Sequence, residues 1–165
     1  LSRLEEQGLV RTQRYKGAVV SGLSAAEATE IFEFRLLVEP EIIRRAVPLM
    51  SKDALKRARD YCRAFSESTD PMSWGDLNRD FHSELYNASR LKFHLEVMDN
   101  AMDRIDRYLR AQLVLSDGME RANIEHFGIL EACEAGDADK AAELTAAHIQ
   151  GVKDSFLEHL SQLQA

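Results

Sequence analysis

The chain has 165 residues, of which 45% are hydrophobic and 30% are charged, and it carries a formal net charge of −7 at pH 7. This size suits one domain with a core, or one domain and part of another, and 3 prolines and 8 glycines are too few for a disordered or fibrous chain. No apolar run approaches the roughly 18 residues of a membrane span, and the acidic balance taken alone argues against a nucleic-acid binder.

The first 20 residues predict the end of a helix followed by a small β-hairpin. The leucine-bearing segment 1–7 ends at Gly8, which is a common helix stop. The β-prone runs 9–12 and 18–20 flank a basic loop that ends in Gly17. Four basic and two acidic side chains give these 20 residues a charge of +2, so the remaining 145 residues carry −9.

From residue 24 onward the apolar positions follow a helical period and predict six helices. Their expected spans are 24–50, 51–67, 73–88 and 91–115, then a helix that ends at 135 and a last one over 138–163. Pro40 predicts a kink or a break in the first helix, which starts with the capping-box pattern of Ser24 and Glu27. Gly136 and Asp137 form a tight connection, with Asp137 as the expected N-cap of the last helix. The fold class is therefore all-α, an antiparallel bundle of six to seven helices.

Three of the predicted helices carry a histidine on or near the apolar face. His82 follows Asn78 by one helical turn, so the two side chains can share one ligand. His126 and His148 lie on the apolar sides of the fifth and sixth helices. Imidazoles that converge from separate helices are a common way to build a transition-metal site in a bundle core.

A structural role for these histidines stays open. A single histidine on an apolar face is usually hydrogen-bonded and nothing more, and the set lacks the HExxH or CxxC spacing of stronger metal motifs. His94 and His159 lie near the edges of their apolar stripes, so we expect them to be partly exposed without a special role.

The arginines offer candidates for binding an anion. Arg35 lies near the apolar face of the first helix and needs a partner, either Glu39 or the carboxylate of a ligand. Arg104, Arg107 and Arg110 lie along the flank of the fourth helix, where a solvated face is the simpler interpretation. Arg104 is, together with Arg35, a candidate effector-binding residue.

The two cysteines indicate the redox state of the cellular compartment in which the protein acts. Cys62 and Cys133 are far apart and show no CxxC spacing. This is typical of buried thiols in a reducing compartment rather than of a disulfide scaffold, so we expect a cytoplasmic protein.

Five stretches of the chain are similar to one known family. They are the segment 1–10 with 16–20, FRLLVE at 34–39, NRDFHSELYNAS at 78–89, EHFGILEA at 125–132, and the closing segment with Gly136-Asp137, Ala141-Ala142 and His148. The first resembles the end of the winged-helix domain of GntR-type bacterial transcription regulators, namely a helix end and the hairpin wing. The others resemble the ligand-sensing FCD domain of the FadR branch. The resemblance implies a winged-helix remnant at 1–22 and an all-helical effector- and metal-binding domain at 23–165.

In this family a divalent transition metal is held by one oxygen ligand and three histidines. The matching positions here are Asn78, His82, His126 and His148. The resemblance implies zinc first, with nickel or manganese as alternatives. Family members with the complete set of ligands have Asp at the position of Asn78. The amide oxygen of Asn is neutral and is therefore a weaker ligand than the carboxylate of Asp. Arg35 aligns with an arginine that helps to hold an effector carboxylate in relatives.

The function that the resemblance implies is a DNA-binding transcription regulator that responds to a small organic acid. The acid would complete the coordination of the metal, pair with Arg35, and change the spacing of two DNA-binding domains in a homodimer. The residues expected at DNA are Arg3, Arg14, Lys16 and Gly17. The base-reading part of the recognition helix would precede Leu1, so this chain by itself is expected to bind DNA weakly or not at all.

Two other classes of function compete with this interpretation. One is a metal-dependent hydrolase built on a helical bundle, which needs a base near a metal-bound water, and the nearby acids are Asp80 and Glu84. The other is a metal-free dimerisation module in which the histidines are structural.

Overall fold

The computed structural model describes residues 10–13, 17–20, 24–115 and 118–163, which form six α-helices, one 3-10 turn and a two-stranded hairpin. The helices are α1 (Ala25–Ala46), α2 (Lys52–Glu67), α3 (Pro71–Asn87), α4 (Lys92–Leu115), α5 (Gly118–Glu134) and α6 (Ala138–Leu163), and the 3-10 turn is Val47–Leu49. None of the helices in these ranges is long and apolar enough to cross a membrane. The predicted all-α bundle is confirmed.

Short polar side chains determine where helices begin. The Ser24 hydroxyl accepts a hydrogen bond from the backbone amide of Glu27 at 3.1 Å and starts α1 as predicted. The Asp70 carboxylate caps α3, with Pro71 at the first helical position. Helix α3 therefore begins two residues before the predicted Ser73, because proline is already in a helical conformation there.

The connection between α5 and α6 is a Schellman turn followed by an N-cap. Gly136 has a φ of +72°, its amide donates to Cys133 O at 3.1 Å, and the amide of Asp137 donates to Ala132 O at 3.0 Å. The Asp137 carboxylate then accepts from the amide of Lys140 at 2.9 Å. The predicted tight connection and N-cap are confirmed.

Pro40 does not break the first helix. Helix α1 runs without interruption from Ala25 to Ala46, so the predicted break is wrong. Proline removes the donor that would bond to the carbonyl of Leu36. Helix α1 nevertheless packs against α6 more extensively than any other described helix pair, and the buried Ile42 and Ile43 hold it beyond Pro40.

Two apolar clusters fill the described part of the bundle. The first consists of Ile42, Ile43, Val47, Ala58, Cys62, Phe81, Leu85, Tyr86, Ile129, Leu130, Ala132, Cys133, Ala141 and Ala142. The second consists of Ala28, Ile31, Phe32, Ile105, Tyr108, Ile149 and Phe156.

A buried polar layer lies between the two clusters. On α1, Arg35 and Glu39 stand between Phe32 of the second cluster and Ile42 of the first, and both side chains are buried. On α6, the buried His148 stands at the same boundary. The candidate site is built in this layer.

The N-terminal hairpin has the predicted strands within one residue. Strand β1 (Val10–Gln13) pairs antiparallel with β2 (Gly17–Val20), and Val10 lies opposite Val20. The predicted helix end at 1–7 lies outside the described residues.

The substitution of one glycine tests the packing of α3 on α4, and the substitution of a second glycine elsewhere is its control. A Cβ at Gly75 would come within 2.5 Å of Arg110 Cγ, so Gly75→Ala is expected to destabilise the fold by about 1–3 kcal/mol. This exceeds the gain of roughly 1 kcal/mol that alanine brings to a helix interior. Gly128→Ala is the matched control, because its Cβ would meet Leu144 Cδ1 at an ordinary 3.8 Å and should be neutral or stabilising. Urea denaturation measures both, and equal stabilisation by the two would contradict the close contact at Gly75.

Candidate metal centre

Three histidines from three helices meet in the polar layer. His82 of α3, His126 of α5 and His148 of α6 are all buried, and one ring nitrogen of each lies within 4.8 Å of the others. The ring centroids of His82 and His126 are 4.9 Å apart, and the other two pairs are each 5.1 Å apart.

These separations match three imidazoles arranged around one metal ion. A zinc ion lies about 2.1 Å from a ligating imidazole nitrogen, and therefore about 3.2 Å from the ring centroid. Angles of about 90–109° between ligands then separate the centroids by about 4.5–5.2 Å. The observed separations of 4.9 and 5.1 Å lie inside this interval.

A buried hydrogen-bond chain orients His82. Its Nδ1 lies 3.5 Å from the hydroxyl of Tyr86, which donates to Glu39 Oε2 at 2.6 Å. Glu39 Oε1 in turn accepts from Arg35 Nε at 2.6 Å. Since the Tyr86 hydroxyl donates its proton to Glu39, its oxygen accepts from Nδ1 of His82, and the imidazole lone pair is on Nε2. That Nε2 is buried and has no hydrogen-bond partner among the described residues.

His148 is oriented by a carboxylate of the neighbouring helix. Its Nδ1 lies 2.6 Å from Glu125 Oε2, so the N–H donates to the carboxylate and Nε2 keeps the lone pair. A carboxylate in this position fixes the tautomer of a metal-ligating histidine and raises its basicity. Glu125 also lies 3.6 Å from the Nε of Arg121 through its other oxygen.

His126 lies deepest and is held by aromatic rings. Its centroid is 5.0 Å from the ring of Phe65 and 4.6 Å from that of Phe81. Both of its ring nitrogens are buried without a hydrogen-bond partner in the described ranges. A buried polar group left in this state costs about 1–3 kcal/mol, and a metal at one nitrogen would remove that cost there.

Burial determines the protonation of two of the three histidines. It lowers the pKa of His82 and His126 well below the usual 6.5, and for His82 the neighbouring histidines and Arg35 add to the effect. Burial together with Glu39 raises the pKa of Tyr86 well above its usual 10, so this hydroxyl remains a donor. His82 and His126 are therefore uncharged at neutral pH and can bind a metal without first losing a proton.

A cavity of about 70 Å³ opens beside the cluster. Asn78, one turn before His82, borders it together with His82 and His148, and Arg35 and Glu39 form another part of its wall. The structure thus brings the three predicted histidines together and places Asn78 and Arg35 at the same cavity. That these residues bind a metal and an effector stays a prediction.

Arg104 does not reach this cavity. It pairs with Glu27 of α1 and borders a separate surface groove between α1 and α4. Its charge is therefore matched by an acidic side chain away from the histidines, as expected for a solvated face.

Of the other candidates, Arg110, His94 and His159 do not border the cavity either. Arg110 pairs with Asp106 within α4 at 2.6 Å, and the side chain of Arg107 lies outside what the structure describes. His94 is exposed, and Nδ1 of the half-buried His159 lies 2.8 Å from the carbonyl oxygen of Ser155. Neither histidine lines the cavity.

The residues predicted to contact DNA are mostly outside the described ranges. Arg3, Arg14 and Lys16 are not among the described residues. Gly17 lies opposite Gln13 in the hairpin. A role of these four residues at DNA stays a prediction.

Sequence reasoning missed the hydrogen-bond partners of the histidine rings. Tyr86 follows His82 by four residues, and the one-turn spacing that drew attention to Asn78 could have identified it. Glu125 is next to His126 in the chain but pairs with His148, 23 residues away. No local spacing predicts that contact, since it depends on how α5 and α6 are rotated against each other.

Comparison with known proteins identifies similar sequences. The FCD domain family matches residues 30–151. Over 161 residues the chain is 28% identical to an uncharacterized HTH-type transcriptional regulator, BphR, of Paraburkholderia xenovorans. This alignment covers 91% of the present chain and 65% of BphR. Over 161 residues it is 26% identical to the Nta operon transcriptional regulator of Aminobacter aminovorans, with 96% and 75% covered. The chain thus spans less than two thirds of the length of the first of these relatives.

Solved structures show the same architecture. A GntR-family transcriptional regulator of Pseudomonas syringae pv. tomato aligns with a TM-score of 0.74 at 28% identity, covering 98% of this chain and 69% of that one. McbR/YncC of E. coli aligns with a TM-score of 0.84 at 17% identity, covering 98% and 81%. The second likeness is one of fold alone.

The stability of the metal-free protein is expected to fall as the pH drops below about 6.5. The lowered pKa of His82 and His126 keeps both uncharged in the native state, whereas the unfolded chain binds a proton at each near the usual pKa of 6.5. The unfolded state then holds more protons, so stability present above pH 6.5 is lost on acidification, on the order of 1 kcal/mol per pH unit for each histidine. Urea denaturation of chelator-treated protein between about pH 7.5 and about pH 5.5 measures this slope.

Two variants separate the buried histidines from the others. His126→Gln removes one of the two rings whose pKa burial lowers, so it should reduce the slope by about half. His94→Gln removes an exposed ring and should leave the slope unchanged. The same slope in wild type and both variants would contradict the role assigned to burial.

Proposed function

The chain belongs to the FCD domain family of GntR-type regulators, and on this premise we propose that it is the effector-sensing part of a transcription regulator. A divalent metal in the polar layer of the bundle would bind a small carboxylate effector. The observation that carries the proposal is the cluster of three buried imidazoles, whose centroids lie 4.9–5.1 Å apart. The unpartnered nitrogens of His82 and His126 support it further.

His82, His126 and His148 would hold the ion, and the amide oxygen of Asn78 would add a fourth, weaker donor. Imidazole ligands suit late first-row metals, so we propose zinc first, with nickel or manganese as alternatives. When bound, the ion supplies a Lewis acid with open positions for a carboxylate oxygen.

Arg35 would contact the effector from the cavity wall. Its pair with Glu39 is made through Nε, and its guanidinium lies over the Phe32 ring at 5.4 Å from the centroid. These contacts fix the position of the guanidinium, and its terminal nitrogens remain to donate to a carboxylate. Arg104 has no part in this proposal, because it borders a different groove.

Binding would be transmitted to DNA through a winged helix of which the β1–β2 hairpin is the wing. Effector binding would favour one arrangement of the bundle and thereby change the spacing of two DNA-binding domains in a homodimer. The regulator would act in the cytoplasm and needs no membrane.

The hydrolase alternative has little support. Asp80 is exposed, Glu84 pairs with Arg57 at 2.7 Å, and neither borders the cavity where a general base would be needed. The relatives named above are transcription regulators.

Zinc is expected to bind with a stoichiometry of about one ion per chain and to stabilise the fold. At a free concentration of 100 times its Kd it should contribute about 2.7 kcal/mol, which raises Tm by roughly 5–10 °C. His148→Ala should abolish both effects, since it removes a ligand, whereas His94→Ala removes an exposed histidine and should keep them. Metal analysis and thermal melting with and without EDTA measure this. Zinc binding that survives in His148→Ala would contradict the site.

The variant Asn78→Asp should change metal and effector affinity in opposite directions. A carboxylate is a stronger ligand than an amide, so zinc should bind more tightly. The added negative charge lies near the bound acid, and a unit charge about 5 Å away is worth about 1–3 kcal/mol, so hexanoate should bind roughly tenfold more weakly to the zinc form. Asn87→Asp adds the same charge at the exposed end of α3 and should change neither affinity. Calorimetry measures both affinities, and tighter binding of hexanoate to Asn78→Asp would contradict the proposal.

A further inference from the structure

The cavity beside the histidines has a polar wall and an apolar wall. The polar wall carries Arg35, Glu39 and Asn78 near His82 and His148. The apolar wall consists of Met98, Met102, Leu109, Leu113, Ala122 and Val152. A ligand that fills this cavity therefore meets two different environments.

Each described arginine that borders the cavity already faces a carboxylate. The pairs are Arg35 with Glu39 at 2.6 Å, Arg79 with Asp103 at 2.7 Å, and Arg121 with Glu125 at 3.6 Å. Their formal charges are balanced, so the uncompensated positive charge of the site would be that of the metal. One anionic group of a ligand can be matched there, and a second would have to share an arginine with the carboxylate that balances it. The buried Nε of Arg121 makes no hydrogen bond in the described ranges, but Glu125 balances its charge at 3.6 Å.

Most of the apolar wall lies along α4, and Ala122 of α5 and Val152 of α6 complete it. Met98 is buried, Met102 and Leu109 are half-buried, and the segment from 98 to 109 extends about 16 Å along the helix. The acid of α4 that borders the cavity, Asp99, lies 3.5 Å from Arg79. A second carboxylate placed along this wall would be desolvated without a partner, which is the costliest position for a charge.

We propose that the effector is a monocarboxylate with an apolar body, either aliphatic or aromatic, rather than a di- or tricarboxylate. Its carboxylate binds at the metal and Arg35, and its body packs along Met98, Met102 and Leu109 of α4. This inference rests on the function proposed above and adds the chemical class of the ligand.

Acids matched in carbon number test the inference. Hexanoate and adipate have the same number of carbons and differ by one carboxylate, and benzoate and terephthalate form a matching aromatic pair. Calorimetric titration of the zinc-loaded chain should give affinities for the monocarboxylates at least about tenfold higher than for the corresponding dicarboxylates. Metal analysis after each titration checks that the zinc is retained.

A variant of the apolar wall should reverse the preference. Met102→Lys places a cation where the second carboxylate of adipate would lie, so adipate should gain affinity and hexanoate should lose it. Met102→Leu keeps the wall apolar and nearly conserves volume, so it should retain the wild-type preference.

The outcomes separate this inference from the proposed function. Adipate binding as tightly as hexanoate to the zinc-loaded wild type would overturn the inference and leave carboxylate sensing in place. An unchanged preference in Met102→Lys would also overturn it, because the α4 wall would then not contact the ligand. Failure of all four acids to bind a chain that holds zinc would overturn the proposed effector function itself.

Discussion

The cost of burying imidazoles between two apolar clusters is the constraint on which the rest of this structure depends. Polar groups in a bundle core must be hydrogen-bonded or bound to a ligand. The chain satisfies Nδ1 of His82 through Tyr86 and Nδ1 of His148 through Glu125. Among the imidazole nitrogens, Nε2 of His82 and both nitrogens of His126 have no hydrogen-bond partner in the described ranges. The proposed metal ion would satisfy Nε2 of His82 and one nitrogen of His126.

In the proposed sensor, the same layer would connect the helices that move on effector binding. The cavity takes side chains from α1, α3, α4, α5 and α6, so a ligand there interacts with five helices at once. A ligand can shift the equilibrium between two arrangements of these helices only by the difference between its binding free energies for the two arrangements. Helix α1 carries Arg35 and begins five residues after the end of the hairpin at Val20, which places one wall of the cavity close in sequence to the proposed wing.

Helix boundaries were predictable where a local interaction decides them. Ser24, Gly136 and Asp137 mark helix ends through hydrogen bonds to residues only three to five positions away. Of the two outcomes predicted at Pro40, a kink or a break, the break does not occur. The packing of α1 on α6 outweighs the local cost of the proline, and no window around residue 40 contains that packing. The net charge of −7 is the sum of a basic N-terminal segment and an acidic bundle. The total therefore does not indicate whether one of the two segments binds DNA.

The sequence by itself determined that six helices form and that His82, His126 and His148 lie on buried faces, because helical periodicity alone assigns a residue to a face. Only the tertiary structure decided which groups meet. It pairs Glu125 with His148, joins Arg35 to His82 through Glu39 and Tyr86, and keeps Arg104 away from the cavity. The contacts of Glu125 with His148, of Tyr86 with Glu39 and of Arg104 with Glu27 join residues on different helices. Their geometry depends on how the helices are rotated and crossed, which periodicity within one helix does not fix.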